Sequence, residues 1–352
     1  DAQSGVADLD RAIGLGCHDA EAFLRRGIGH TALGDAQSAI ADFTKVIATR
    51  SSELASIQGV AYYQRGRAHQ SIGELEAAIA DLGQAIKLQP PGRERALAFC
   101  ARGRAYVAEG NSRAAIEDYG EAVVLFPDPD TGQVADEKAA AYQGRARAHH
   151  RLGNLSAAIA DYGRAIDVLP DGAGSAADKA AAYAGRGQAR CQKDDHPAAI
   201  ADYDQAIALY PEGAGYEAAR AATHLGRGQA FAATGDLEAA IADYDRAAAL
   251  DGNQAEIFHH RGLAYSKLGD QESAVSDQSR AIALDPRYAQ AFYSRGLAES
   301  AQGELEAAVA DYDRAIALGP EDSAVFYHRG LARWDAGDAQ GAISDYDRAI
   351  TL

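Results

Sequence analysis

The sequence predicts an all-α fold: a right-handed superhelical solenoid built from packed helix pairs. Three observations predict it. A helical phrase, "AAIADYDRAIAL", recurs in close copies such as "SAIADFTKVIAT", "AAIEDYGEAVVL" and "GAISDYDRAITL". An Arg is followed by Gly27, Gly66, Gly103, Gly187, Gly228, Gly262, Gly296 and Gly330, with Ala146 in the one remaining slot. Twelve residues after each comes an Ala, from Ala39 to Ala342. A fixed spacing of this length marks an array of supersecondary units that bury their apolar faces on one another.

The elements follow in order. Residues 5–16 carry only the second helix of a unit. Nine full units follow, each read as helix A, tight turn, helix B and stop, for nineteen helices in one array spanning 1–352. The turns are marked by pairs such as Gly34-Asp35, Gly73-Glu74, Gly235-Asp236 and Gly303-Glu304. The stops are Pro90, Pro127, Pro170, Pro211, Pro286 and Pro320, since proline cannot continue a helix. The last four glycines are each 34 residues apart, whereas earlier gaps run from 37 to 43. The extra residues fall between helix B and the next helix A. Before repeats four to six they include "ADEKAAAY", "SAADKAAAY" and "YEAARAA", which are good helix formers. They read as N-terminal extensions of helix A that project from one edge. The chain starts and ends inside the pattern and contains no Met. A processed or excised piece of a longer array is therefore expected.

The small residues explain how the pairs pack. Gly at unit position 8 and Ala at position 20 let the two helices approach closely. Position 24 fills the space beside that contact with Phe43, Leu82, Tyr119, Tyr162, Tyr203, Tyr244, Tyr312 and Tyr346. Gln278 stands there in repeat seven and marks a weaker seam. A 34-residue unit with Gly at 8, Ala at 20, an aromatic near 24 and Pro at 32 resembles the tetratricopeptide repeat family along essentially the whole chain.

Composition bounds the function. The net charge of −17 argues against nucleic acid as a partner and against anionic membranes. No apolar run reaches the length of a membrane helix, so membrane insertion is not expected. Cys17, Cys100 and Cys191 are odd in number and far apart, which fits a reducing, cytoplasmic compartment.

Two charged residues repeat with the unit. Position 23 is always Asp, from Asp8 and Asp42 through Asp81, Asp161 and Asp202 to Asp345. Position 7 is always Arg, including Arg65, Arg102, Arg186 and Arg227, where the resembling family usually has a large apolar residue. Catalysis does not need nine copies, so a structural ion pair is read. Helical spacing places position 23 beside position 27, which in this family faces the next repeat. Pairing between repeats is therefore expected: Asp42 with Arg65, Asp81 with Arg102, Asp161 with Arg186 and Asp202 with Arg227. That scheme leaves Asp345 without a partner.

No zinc-binding Cys/His spacing, HExxH, P-loop or GxSxG pattern is present, and Cys17-His18 sits alone in a turn. No cofactor, no metal and no catalytic residue are expected. The resemblance implies a concave groove lined by helix A, chiefly through positions 2, 5, 9, 12 and 13. Position 9 changes along the chain from Arg67, Arg104 and Arg147, through Gln188 and Gln229, to Leu297 and Leu331. His259, Tyr293 and Tyr327 at position 5 and Trp334 at position 12 extend the late apolar stripe. Chaperone-binding relatives clamp a terminal carboxylate with Lys, Asn and Arg at positions 5 and 9. Position 5 here has no Lys and neither position has Asn, so that clamp is not expected. The reading is a noncatalytic scaffold that binds a protein or peptide segment in the groove. Two alternatives are a solenoid that self-associates end to end, and the targeting arm of an enzyme whose catalytic domain lies outside this segment.

Overall fold

The computed structural model describes residues 2–17, 19–49, 55–127, 132–172, 174–213, 215–319 and 322–352. Among them are nineteen α-helices and no strand. The chain divides into two compact units, Asp1–Ala189 and Arg190–Leu352. The first holds α1 (Ala2–Gly14) and the pairs α2 (Ala20–Ala32) with α3 (Ala36–Ala48), and α4 (Ala55–Ser71) with α5 (Leu75–Leu88). It continues with α6 (Arg93–Glu109) and α7 (Ser112–Leu125), α8 (Gly132–Arg151) and α9 (Leu155–Val168), and most of α10 (Ala176–Cys191). The second holds α11 (His196–Leu209), α12 (Glu217–Thr234) with α13 (Leu237–Leu250), and α14 (Ala255–Leu268) with α15 (Gln271–Leu284). It ends with α16 (Ala289–Gln302), α17 (Leu305–Leu318), α18 (Ser323–Asp335) and α19 (Ala339–Thr351).

Each unit is a helical repeat stack. Helices α1 to α9 in the first, and α11 to α19 in the second, each pack on the next in sequence. Successive A helices also touch: α2 on α4, α4 on α6 and α6 on α8, and likewise α12 on α14, α14 on α16 and α16 on α18. No B helix touches the next B helix among the described residues. The A helices therefore form the tighter, inner layer of each stack.

Local chemistry makes the pairs. Gly34 ends α2 at φ +79°, a conformation that costs glycine nothing, and Asp35 N–H donates back to the His30 carbonyl at 2.9 Å. The Asp35 carboxylate then caps α3 by accepting from Ser38 N–H at 3.0 Å. Position 8 needs its missing side chain: a Cβ on Gly27 would lie 2.6 Å from the Phe43 ring, and one on Gly66 2.8 Å from Leu82 Cγ. Ala39, Ala78, Ala115 and Ala158 at position 20 are fully buried against this contact.

The structure corrects two expectations here. The helix extensions exist, giving α8 and α12 20 and 18 residues against 13 or 14 in the later A helices, and those of α8 and α10 are held against a neighbouring A helix instead of projecting. Ala135 on the extra turns of α8 is buried. Arg93 at the start of α6 forks onto Glu137 of α8 at 2.6 and 2.7 Å, and Gln143 donates to the Asp178 carbonyl at 3.0 Å. These polar contacts tie the extra turns of α8 and α10 to the neighbouring A helices. Gln278, read as a weaker seam, is buried and satisfied at both ends of its amide. His259 Nδ1 meets its Oε1 at 2.9 Å, and its Nε2 donates to the His259 carbonyl at 3.0 Å. Pro320, His18 and residues 128–131 of the first long connection lie outside the described residues.

Candidate functional site

The Arg–Asp ladder frames the inner surface, and its pairing differs from the expected one. Arg26 binds Asp42, Arg65 binds Asp81, Arg102 binds Asp118 and Arg145 binds Asp161, each through Nε and Nη2 at 2.6–2.8 Å. Arg227, Arg261, Arg295 and Arg329 bind Asp243, Asp277, Asp311 and Asp345 in the same way. The forks join helix A to helix B of one repeat, sixteen residues apart. Asp42 does not pair with Arg65, nor Asp81 with Arg102, and Asp202 accepts from Arg190 Nη1 at 2.8 Å. Asp345, expected to lack a partner, accepts from Arg329 and also from Arg333.

The third guanidinium nitrogen explains the misreading. Nη1 points across the seam to position 25 of the preceding repeat: Arg26 to Asp10, Arg65 to Thr44, Arg227 to Asp204, Arg261 to Asp245, Arg295 to Ser279 and Arg329 to Asp313, at 2.5–3.0 Å. One side chain thus serves both the pair and the stack. Eight of the nine also lie over an aromatic ring three residues earlier, from Arg26 over Phe23 to Arg329 over Phe326, at 5.2–5.7 Å. In repeat six His224 takes that place and bonds Asp243 at 3.0 Å instead. Burial would raise the Asp243 carboxyl, but hydrogen bonds from Arg227 and His224 overcome it and hold it at about 2.

Inside this frame, Arg67, Arg104, Arg147 and Gln188 are exposed on the inner layer of the first unit. Among the described residues no carboxylate pairs with any of the three arginines. Arg67 lies over the Tyr63 ring at 5.7 Å and lines a 300 Å³ pocket with the hydroxyl residues Thr31 and Ser71 and with Ile72. Burial pushes the Tyr119 phenol up to about 12 against the opposing field of Arg104 and Arg147. Both cations therefore bear on the same buried hydroxyl from successive repeats.

The second unit differs. His259, expected on the groove surface, is instead buried against Gln278 and Tyr288, and burial lowers its basicity. Gln229 is half-buried, its amide nitrogen near Glu256 Oε1 at 3.3 Å and His260 Nε2 at 2.9 Å. It lines a pocket of 310 Å³ with Tyr244, His260, Leu263 and Lys267. Lys267 and Ser71 were missed as candidates, although position 13 is one of the inward positions. Tyr293 and Leu297 pack against the core formed by Phe292, Tyr312 and Val325, whereas Tyr327, Leu331 and Trp334 are exposed. No group of three metal-ligating side chains occurs among the described residues, and no helix there is long and apolar enough to cross a membrane.

Comparison with known proteins matches three family models. A model described as TPR repeat matches residues 228–269 and 298–337. Two described as tetratricopeptide repeat match 60–91 with 255–288, and 100–177. Together these ranges cover more than half of the chain. No curated protein matches in sequence. Among solved structures, a tetratricopeptide repeat protein from Parabacteroides merdae is similar at 17% identity and a TM-score of 0.55, over 79% of this chain and 98% of that one. MamA is similar at 25% identity and 0.44, over 51% and 92%. YrrB, titled a TPR protein with an unusual peptide-binding site, is similar at 20% identity and 0.42, over 49% and 85%.

Proposed function

This chain belongs to the tetratricopeptide repeat family, and on that footing we propose that it is a noncatalytic scaffold whose first unit binds an acidic peptide segment on its inner layer. One observation carries the reading. Arg67, Arg104 and Arg147 repeat at the same inward position and have no carboxylate partner among the described residues, in a chain of net charge −17. Elsewhere the repeated arginines of position 7 are consumed by the ladder. Cations left unpaired in an acidic protein attract carboxylates and accelerate encounter, and salt weakens them. The Thr31 and Ser71 hydroxyls beside Arg67 already donate to the Gly27 and Ala68 carbonyls, at 2.9 and 2.7 Å, so the arginine carries the attraction for the anion. Tyr327, Leu331 and Trp334 in the second unit offer apolar contact to a protein segment, a separate surface with its own chemistry.

The test uses a fluorescein-labelled decapeptide of alternating Asp and Gly, with a Lys-Gly peptide as control, titrated into the full chain at low and high salt. The acidic peptide is expected to bind with an affinity that falls with salt. Changing Arg67, Arg104 and Arg147 together to Gln is expected to remove most of that binding and flatten the salt dependence. Equal affinity and equal salt dependence in the triple variant would refute the basic row as a binding surface.

A further inference from the structure

Arg67, Arg104 and Arg147 stand at position 9 of three A helices that follow one another, α4, α6 and α8. Each comes one residue after the small residue that meets helix B, Gly66, Gly103 or Ala146, so the three sit at one height in their helices. Helix α4 touches α6, and α6 touches α8. Packed helices lie about 8–10 Å apart, so the row repeats at about that interval. Two contacts limit how far the long side chains stray. Arg67 lies over the Tyr63 ring at 5.7 Å. The tip of Tyr119 is wedged between the other two helices: a Cβ on Gly103 would lie 3.1 Å from its Cζ, and one on Gly144 2.5 Å. Arg104 and Arg147 act on that one phenol from the two helices. The row is also bounded. Position 9 is Ile28 in the repeat before, 41% exposed, and Gln188 in the repeat after.

A ligand matches three such cations when its carboxylates share one edge at the same interval. A β-strand shows one face every second residue, at about 6.6 Å, or every fourth, at about 13 Å. An α-helix repeats a face each turn at about 5.4 Å, and after seven residues at about 10.5 Å. A polyproline II chain turns once in three residues with a rise of about 3.1 Å, so every third side chain lies on one edge at about 9.3 Å. Only that period falls inside the interval of the row. On the footing that this row is an anion site, we propose that its ligand is an extended polyproline II segment carrying Asp or Glu at every third residue. Three acidic residues complete the match, because the row ends at Ile28 and Gln188. An unfolded chain visits this conformation readily, so little ordering is needed on binding. A helix that reaches all three arginines needs about fifteen residues and is marginal alone.

The probes are three fluorescein-labelled isomers: Gly-Asp-Pro-Pro-Asp-Pro-Pro-Asp-Gly, Gly-Pro-Asp-Pro-Asp-Pro-Asp-Pro-Gly and Gly-Pro-Pro-Asp-Asp-Asp-Pro-Pro-Gly. Charge and composition are the same, so only the spacing differs. A stapled helix with Asp at every seventh residue is the fourth probe. Each is followed by anisotropy as the full chain is added at low salt. The first isomer is expected to bind about threefold or more tighter than the others, a difference an exposed ion pair supports. Arg104→Gln should erase that advantage, while circular dichroism shows the chain folded as the parent. Asn in place of the central Asp of the peptide should erase it too, and the two changes together should cost no more than either alone. Equal affinity of the three isomers, or tighter binding of the second, the third or the helix, would overturn the spacing and leave the anion site standing. Absence of binding by every acidic peptide would overturn the anion site and this inference with it.

Discussion

Arg261 separates the two functions of the ladder arginine by a measurable energy. Its Nε and Nη2 bind Asp277 at 2.8 and 2.7 Å within repeat seven, and its Nη1 binds Asp245 of repeat six at 2.5 Å. The Asp277 side chain is 8% exposed and that of Asp245 54%. Removing Arg261 leaves Asp277 a buried carboxylate without its fork, and breaking one side of a buried pair costs about 3–5 kcal/mol. The Arg261 side chain is 19% exposed, so water relieves some of that cost and about 3 kcal/mol is expected. The exposed Asp245 contact is worth roughly 0.2–1 kcal/mol. Double-mutant cycles on Arg261 with Asp277, and on Arg261 with Asp245, separate the two terms. Repeat stacks need not unfold in one step, so native-state hydrogen exchange in α14 and α15 is the assay, with Arg314→Ala on the surface as control. Coupling of about 2–3 kcal/mol to Asp277 and below about 1 kcal/mol to Asp245 is expected. A larger coupling to Asp245 would show that the ladder acts chiefly between repeats and would refute the assignment by burial.

Two further outcomes follow from packing and charge. Gly144→Ala puts a Cβ 2.5 Å from the Tyr119 ring and is expected to destabilise by about 1–3 kcal/mol, whereas Gly5→Ala in α1 meets nothing and should stabilise by about 0.5–1 kcal/mol; thermal melts that order the two the other way would defeat the packing argument. Glu299 is pushed up to about 7 by burial and by the neighbouring Asp311. Its neutral form suits the fold, so its contribution is complete below the ordinary glutamate range and is lost as pH rises through about 7. Raising pH from 5 to 8 should therefore cost on the order of 1 kcal/mol after solvent screening, and Glu299→Gln should remove that slope from a urea-midpoint series.

The fold was legible because every signal repeated. The Gly-to-Ala spacing of twelve residues and the turn glycines at Gly34, Gly73 and Gly303 set the helix boundaries. The residues of the ladder were legible too, but their pairing was not. A helical wheel assigns a residue one direction, whereas a guanidinium has two usable edges. Position 25, where Asp10, Thr44, Asp245 and Ser279 stand, varies in identity and so gave no repeated signal. His259 was misplaced for a related reason. Gln in place of Tyr at residue 278 leaves room and a bonding partner in the seam, and the imidazole folds into it. That exchange couples two positions nineteen residues apart. The glycines at position 6, Gly144, Gly185 and Gly226, were also overlooked. A Cβ at each would lie 2.5–2.7 Å from the Tyr of the preceding repeat, Tyr119, Tyr162 and Tyr203.

Position 25 is Gly83, Gly120 or Gly163 in three seams and offers no side-chain acceptor there, although Arg102, Arg145 and Arg186 approach the space a side chain would occupy at 3.5–3.7 Å. A helices are lengthened at these seams, with Arg93 on Glu137 and Gln143 on the Asp178 carbonyl, but also at the acceptor-bearing seams of α4 and α12, which have 17 and 18 residues. Pulled along its axis, each unit behaves as springs of two kinds in series. Seams with an acceptor carry a tie from helix A of one repeat to helix B of the one before, and seams with glycine at that position offer no side chain to tie. The tie resists opening of the seam at that point, so within each unit elasticity varies with a single residue of each repeat.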